Sequence, residues 1–156
     1  MRRVLTLCVL LGVGVLASAA PGKPRPEIMG IVLGMSRDSA QARLKSIGNL
    51  EKEARKRQEV WAIKDPRVSH LLVGYDADDR VRYVTAIARA DGPRIRYDEV
   101  AEVKTAQRVN NQGNYKFTWE VAARRRQFGY VIMARGHDRN YLDSYSVKKL
   151  DQEEID

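Results

Sequence analysis

His137 and Asp138, side by side in a Gly-His-Asp-Arg-Asn run, are the most enzyme-like pairing in the sequence. A histidine can take a proton and a neighbouring carboxylate can orient it. Adjacent side chains diverge, however, and Gly, Asp and Asn favour turns, so the run reads first as a polar hairpin tip. His70 falls on a different expected strand, and two histidines with a single cysteine make no zinc set. Asp76, Asp78 and Asp79 resemble the opening of a calcium loop. Such a loop needs Gly sixth and Glu twelfth, where this chain has Val81 and Ile87. The sequence holds no phosphate-cradling Gly-rich loop and no Ser-centred elbow. The expectation is a noncatalytic protein with no cofactor and no metal, and a small hydrolase using His137 and Asp138 is the remotest alternative.

Binding chemistry is better represented. Arg124, Arg125 and Arg126 are consecutive, and Lys52, Arg55, Lys56 and Arg57 form a second basic group mixed with Glu51, Glu53 and Glu59. Such groups are solvated faces or hairpin tips, or they attract anionic lipid headgroups, cell-wall polymer or an acidic protein. Trp61 and Trp119 are the two tryptophans, a residue type favoured as an interface anchor. The partner-binding candidates are therefore Arg124, Arg125, Arg126, Lys52, Arg55, Arg57, Trp61 and Trp119. Nucleic acid would attract the same cations, but the address described below argues against that encounter.

Hydrophobic periodicity indicates what positions these groups. Ile28 to Leu33 is a first strand or a helix lead-in. Ser36 is a good N-cap, Asp38 suits the first turn, and Ala40, Leu44 and Ile47 repeat at helical spacing, which predicts a helix over Arg37 to Ile47. Gly48 then suits a left-handed helix end. Glu51 to Glu59 is a second helix or a solvated loop. Strands are expected over 59–64, 69–75 and 81–88, a second helix over Tyr97 to Asn110, and strands over 115–121, 128–135 and 141–148. This pattern predicts an α+β fold: an antiparallel sheet with helices packed on one face. The halves 28–90 and 95–150 would then be two tandem helix-plus-three-strand units within one domain over 28–150.

The first nineteen residues read as an address. Arg2 and Arg3 precede an uncharged apolar run from Val4 to Leu16, and Ala17-Ser18-Ala19 supplies small residues for cleavage, the three parts of a secretory signal peptide. The apolar run is too short for an ordinary membrane span. Cys8 sits inside that run after Leu7, which does not suit a lipoprotein signal, so the chain is expected to be periplasmic or secreted and not lipid-anchored. Residues 20–27, with Pro21, Gly22, Pro24 and Pro26, read as an extended linker, and 151–156 as a tail. With 28 Lys and Arg against 20 Asp and Glu, the 156-residue chain carries a net charge of +8. Its 44% apolar content suits a packed core and excludes a disordered or collagen-like chain. Cleavage would remove the only cysteine, leaving no disulfide to support that core.

Gly34-Met35-Ser36 through Gly48, Val60-Trp61, and Val73-Gly74-Tyr75-Asp76 through Arg80-Val81 together resemble the SmpA/OmlA group of small outer-membrane-assembly proteins, the BamE-like family. They also resemble the wider fold of the β-lactamase inhibitor protein. The resemblance spans roughly residues 30 to 88. Asn49 stands where family members usually place a proline, and the lipid-anchored N-terminal cysteine is missing. The resemblance implies a noncatalytic scaffold that binds an envelope protein, without specifying the partner or the contact residues.

Overall fold

A computed structural model of the chain describes residues 22–55 and 57–150, with the side chains of residues 54 and 55 left undescribed. The expected signal peptide, Cys8, Lys56 and the expected tail over 151–156 lie outside the described residues, as does the side chain of Arg55.

The fold is mostly β, with 52% strand and 14% helix, which overturns the α+β expectation of helices packed on a sheet. Strands β1 (Glu27–Ile28) and β2 (Ile31–Val32) form a small hairpin that leads into helix α1 (Arg37–Ile47). Strands β3 (Gly48–Arg55), β4 (Gln58–Ile63), β5 (Val68–Tyr75) and β6 (Val81–Ala88) follow as one meander. After β7 (Ile95–Arg96), the one-turn α2 (Tyr97–Val100) and a 3-10 turn (Val103–Thr105) come β8 (Gln107–Asn111), β9 (Asn114–Val121), β10 (Tyr130–Gly136), β11 (Tyr141–Leu142) and β12 (Ser144–Lys149). One antiparallel sheet of eight strands runs β3-β4-β5-β6-β12-β10-β9-β8. Two four-strand meanders thus meet back to back through β6 and β12.

Helix α1 has the expected bounds. Ser36 caps it by accepting from the Ser39 amide, and Ala40 and Leu44 bury the face that packs into the core. Gly48 does not take a left-handed end. Its backbone is extended and begins β3, where an added Cβ would overlap the Ala62 carbonyl, so the glycine answers a close approach between strands. The charge run after it is the sheet's edge strand rather than a helix or a loop. Its described side chains at 49–53 are exposed, and charge on an edge discourages pairing with other chains.

The helix expected over Tyr97 to Asn110 stops at Val100. Among these residues only Tyr97, Ala101 and partly Val100, Val103 and Ala106 reach the core, too few for a long amphipathic face. Gln107 to Asn111 instead pairs with β9, turning at Gln112-Gly113, both of which have positive φ. Each unit therefore has four sheet strands rather than three, and the second has only the one-turn α2 and a 3-10 turn in place of a long helix.

Register divides the sheet into two faces. On the inner face one row runs Trp61, Leu71, Ala86, Tyr145, Ala134, Phe117 across six neighbouring strands. The next row runs Glu59, Val73, Val84, Val147, Ile132, Trp119. Ile28, Ile31, Leu33, Ala40 and Leu44 pack over these rows to form the core.

The exception in that core is Glu59, 1% exposed. One carboxylate oxygen accepts from Arg37 Nε (3.0 Å), Arg37 Nη2 (2.8 Å) and Gln41 Nε2 (2.7 Å). The other accepts from Trp61 Nε1 (3.0 Å) and the Tyr75 hydroxyl (2.9 Å). Burial pushes the carboxyl up, but the hydrogen bonds from Gln41, Trp61, Arg37 and Tyr75 outweigh it and hold Glu59 below its usual value. Burial, with Glu59 alongside, pushes the Tyr75 phenol well up.

A carboxylate held low stabilises the fold above the ordinary carboxylate range, and that contribution is lost as pH falls through its lowered value. Glu59→Leu, which removes the shared acceptor of Arg37, Gln41, Trp61 and Tyr75 and leaves Arg37 its hydrogen bond to Glu53, is expected to cost about 3–5 kcal/mol in chemical denaturation at pH 7. Glu59→Gln is expected to lose less at pH 7 and to show a shallower fall in stability below about pH 4. Parallel acid profiles of Glu59→Gln and the unaltered chain would contradict the assignment.

Candidate binding face

The outer face of the sheet carries three rows. Val60, Leu72, Thr85, Ser146, Met133 and Thr118 form the first, and Ala62, His70, Ile87, Ser144, Arg135 and Lys116 the second. Gln58, Gly74, Tyr83, Lys148, Val131 and Glu120 form the third. Among the described residues no helix or loop lies over them: α1, the β1–β2 hairpin and the short helical turns contribute to the core on the other side. Most of these side chains are half-buried by their strand neighbours alone. Val60, Leu72, Ile87, Val131 and Met133 make the face apolar in its body. Lys52, Lys116, Arg135 and Lys148 give it a basic rim, with Glu51 beside His70 (3.2 Å) and Glu120 as the acids. Seven strand spacings make the face roughly 34 Å wide, which suits the ~800 Å² that each partner gives to an ordinary protein interface.

Gly74 and Tyr83 shape this surface. The Tyr83 ring lies directly over Gly74 across the strand pair, in the space where a Cβ would sit. The glycine lets the ring lie flat against the sheet.

The sequence-derived candidates separate into three groups. Trp61 (2% exposed) and Trp119 (3% exposed) are core residues on the covered face, so neither is presented to a partner. Their indole N–H groups are already engaged, Trp61 by Glu59 and Trp119 by the Glu102 carbonyl (2.9 Å). Lys52 is exposed on the outer face opposite Val60, and Arg57 is exposed at the β3–β4 turn, while Arg55 contributes its backbone to β3. Arg124, Arg125 and Arg126 are exposed at the β9–β10 connection. The third outer row, Gln58 through Glu120, links the two basic groups to one end of the sheet. Five strand spacings, about 24 Å, keep them apart.

His137 and Asp138 do not pair with each other. His137 Nδ1 faces Asp143 Oδ2 at 2.6 Å rather than Asp138, and its side chain is 81% exposed. Asp138 is occupied by Arg94 (3.0 Å) and by the amides of Asn140 and Tyr141. Among the described residues no hydroxyl hydrogen-bonds His137, and no cluster of His, Cys, Asp and Glu suits a metal ion. Asp76 accepts from the Asp78 and Arg80 amides and so closes the β5–β6 turn. Also among the described residues, no helix is long and apolar enough to cross a membrane.

The outer-face residues were not singled out from sequence. Their signal is present in adjacent apolar pairs on single strands, Val60-Trp61, Leu71-Leu72 and Ala86-Ile87, which make both faces apolar where a half-buried strand would alternate. Compared with family models, with the curated proteins and with the solved structures, the chain has no match in any of the three.

Two outcomes follow from this placement. Tryptophan emission from the native chain is expected at the wavelength of buried indole, with iodide quenching far below that of a free tryptophan analogue. Gly74→Val, which β propensity favours, is expected instead to destabilise by about 1–3 kcal/mol because Tyr83 is forced off the sheet. Equilibrium denaturation checks the sign.

Proposed function

We propose that the chain is an exported, noncatalytic binding module of the bacterial cell envelope that works by protein–protein contact through the outer face of its sheet. The observation that carries this reading is that face: eight strands wide, apolar across Val60, Leu72, Ile87, Val131 and Met133, and uncovered among the described residues. Its basic rim of Lys52, Lys116, Arg135 and Lys148 favours a partner with an apolar patch bordered by carboxylates. Glu51, engaged by His70, and Glu120 do not cancel that excess. The three-part signal of residues 1–19 supports export, and the SmpA/OmlA resemblance supports a scaffold that binds protein.

A photo-reactive side chain placed at Leu72 or Thr85 in the full chain tests this reading in envelope preparations. The expected result is one discrete protein adduct from these positions, lost when Met133→Glu is added and missing when the probe is at Lys45 on α1. Equal adducts from Leu72 and Lys45, or none from the face, would overturn it.

A further inference from the structure

On the opposite side of the molecule from that face, the N-terminal strap and the β9–β10 connection line an open hollow of about 660 Å³. Two hydrogen bonds fix the strap: the Tyr130 hydroxyl donates to the Pro24 carbonyl (2.7 Å), and the Leu33 amide to the Pro26 carbonyl (2.9 Å). The end of the expected linker is therefore a wall of the cavity. Val32, Leu33, Val121 and Phe128 supply an apolar lining. Phe128 is among the few large apolar side chains left exposed, and the Lys149 ammonium stands 5.4 Å from its ring centre.

The charges around this cavity all have one sign. Lys23, Arg124 and Arg126 line it, and no carboxylate does. Among the described residues, none of the three has an ion-pair partner. The loop that carries the arginines is held in a tight form. Arg124 and Gln127 exchange two backbone hydrogen bonds (3.0 and 2.8 Å) around Arg125-Arg126. Arg126 sits at φ +70°, a backbone state that a turn gives to glycine at low cost and to arginine only with strain.

An apolar hollow of ligand size with unneutralised guanidinium groups in its lining matches a molecule that is apolar in body and anionic at one end. We infer that this cavity binds an amphiphile with an acyl or alkyl chain and a phosphate or carboxylate head, the chain against Phe128 and Val121 and the head between Arg124, Arg126 and Lys23. The site is independent of the protein-contact face and is carried by different residues.

Isothermal titration of the full chain tests it with dodecyl phosphate and laurate below their micelle concentrations. Dodecyl maltoside and inorganic phosphate serve as the chain-only and head-only probes. The expected result is saturable one-to-one binding of either anionic amphiphile, weakened tenfold or more by Arg124→Ala, Arg126→Ala or Phe128→Ala. Arg125→Ala, at the tip but outside the lining, is expected to change it less than twofold. The relative affinities of dodecyl phosphate and laurate tell which head is preferred. Arg126→Gly is expected to weaken binding while raising the melting temperature, which separates loss of the site from loss of the fold. Dodecyl maltoside binding as tightly as dodecyl phosphate, inorganic phosphate binding as tightly alone, equal loss in Arg125→Ala and Arg126→Ala, or no saturable binding would each overturn the inference.

Discussion

The first half of this molecule is organised around one buried negative charge. Glu59 lies where the inner face of β4 meets α1, and its five hydrogen bonds reach the helix through Arg37 and Gln41, the neighbouring strand through Tyr75, and its own strand through Trp61. An ionised carboxylate at 1% exposure is tolerable only with such a shell. The shell fixes the distance of α1 from the sheet and the rotamer of two large aromatic rings. It also constrains the Gly34-Met35-Ser36 approach to the helix, because the Arg37 amide donates to the Asp79 carbonyl and the Gly34 amide to the Val81 carbonyl. Helix entry, the β5–β6 turn and the buried charge thus form one connected unit.

Much of the fold was legible because period-two alternation is local. The strands 81–88 and 115–121, and helix 37–47, were readable because each buries one face and caps or turns cleanly at its ends. The misreadings arose where a segment's fate is decided by a distant partner. Val100, Val103 and Ala106 have helical spacing, but the exposed edge of β9 recruits the following residues into a strand. Gly48 does end the helix, its amide donating to the Leu44 carbonyl, but in an extended conformation that answers a close approach of the Ala62 backbone and not in the left-handed one.

The candidate sites were less legible for the same reason. Charge and aromatic content mark residues as interesting without saying which face of a sheet they take. Trp61 and Trp119 had the composition of anchors, yet register turns both inward, while the plainer Val60 and Leu72 on neighbouring positions turn outward. Glu59 sat unremarked in a charge run, because nothing local separates a buried acid from its solvated neighbours Glu51 and Glu53. The arginine run was visible from sequence. That two of its three members line a hollow bordered by Pro24 and Pro26 depends on chain segments about a hundred residues apart.

The seam between the two meanders has a bearing on how the chain acquires its shape. Strands β6 and β12 become neighbours only across an intervening stretch on the order of sixty residues, and closing a loop of that length carries an entropic cost that no local contact offsets. Each meander is built from consecutive hairpins and can assemble from near neighbours, whereas the central pairing is non-local. High contact order of this kind slows folding relative to a helical domain of the same size. Until the seam forms, each meander has an open edge at β6 or β12. A closure that waits on so distant a pairing prolongs the interval in which both edges are open to pairing with another chain.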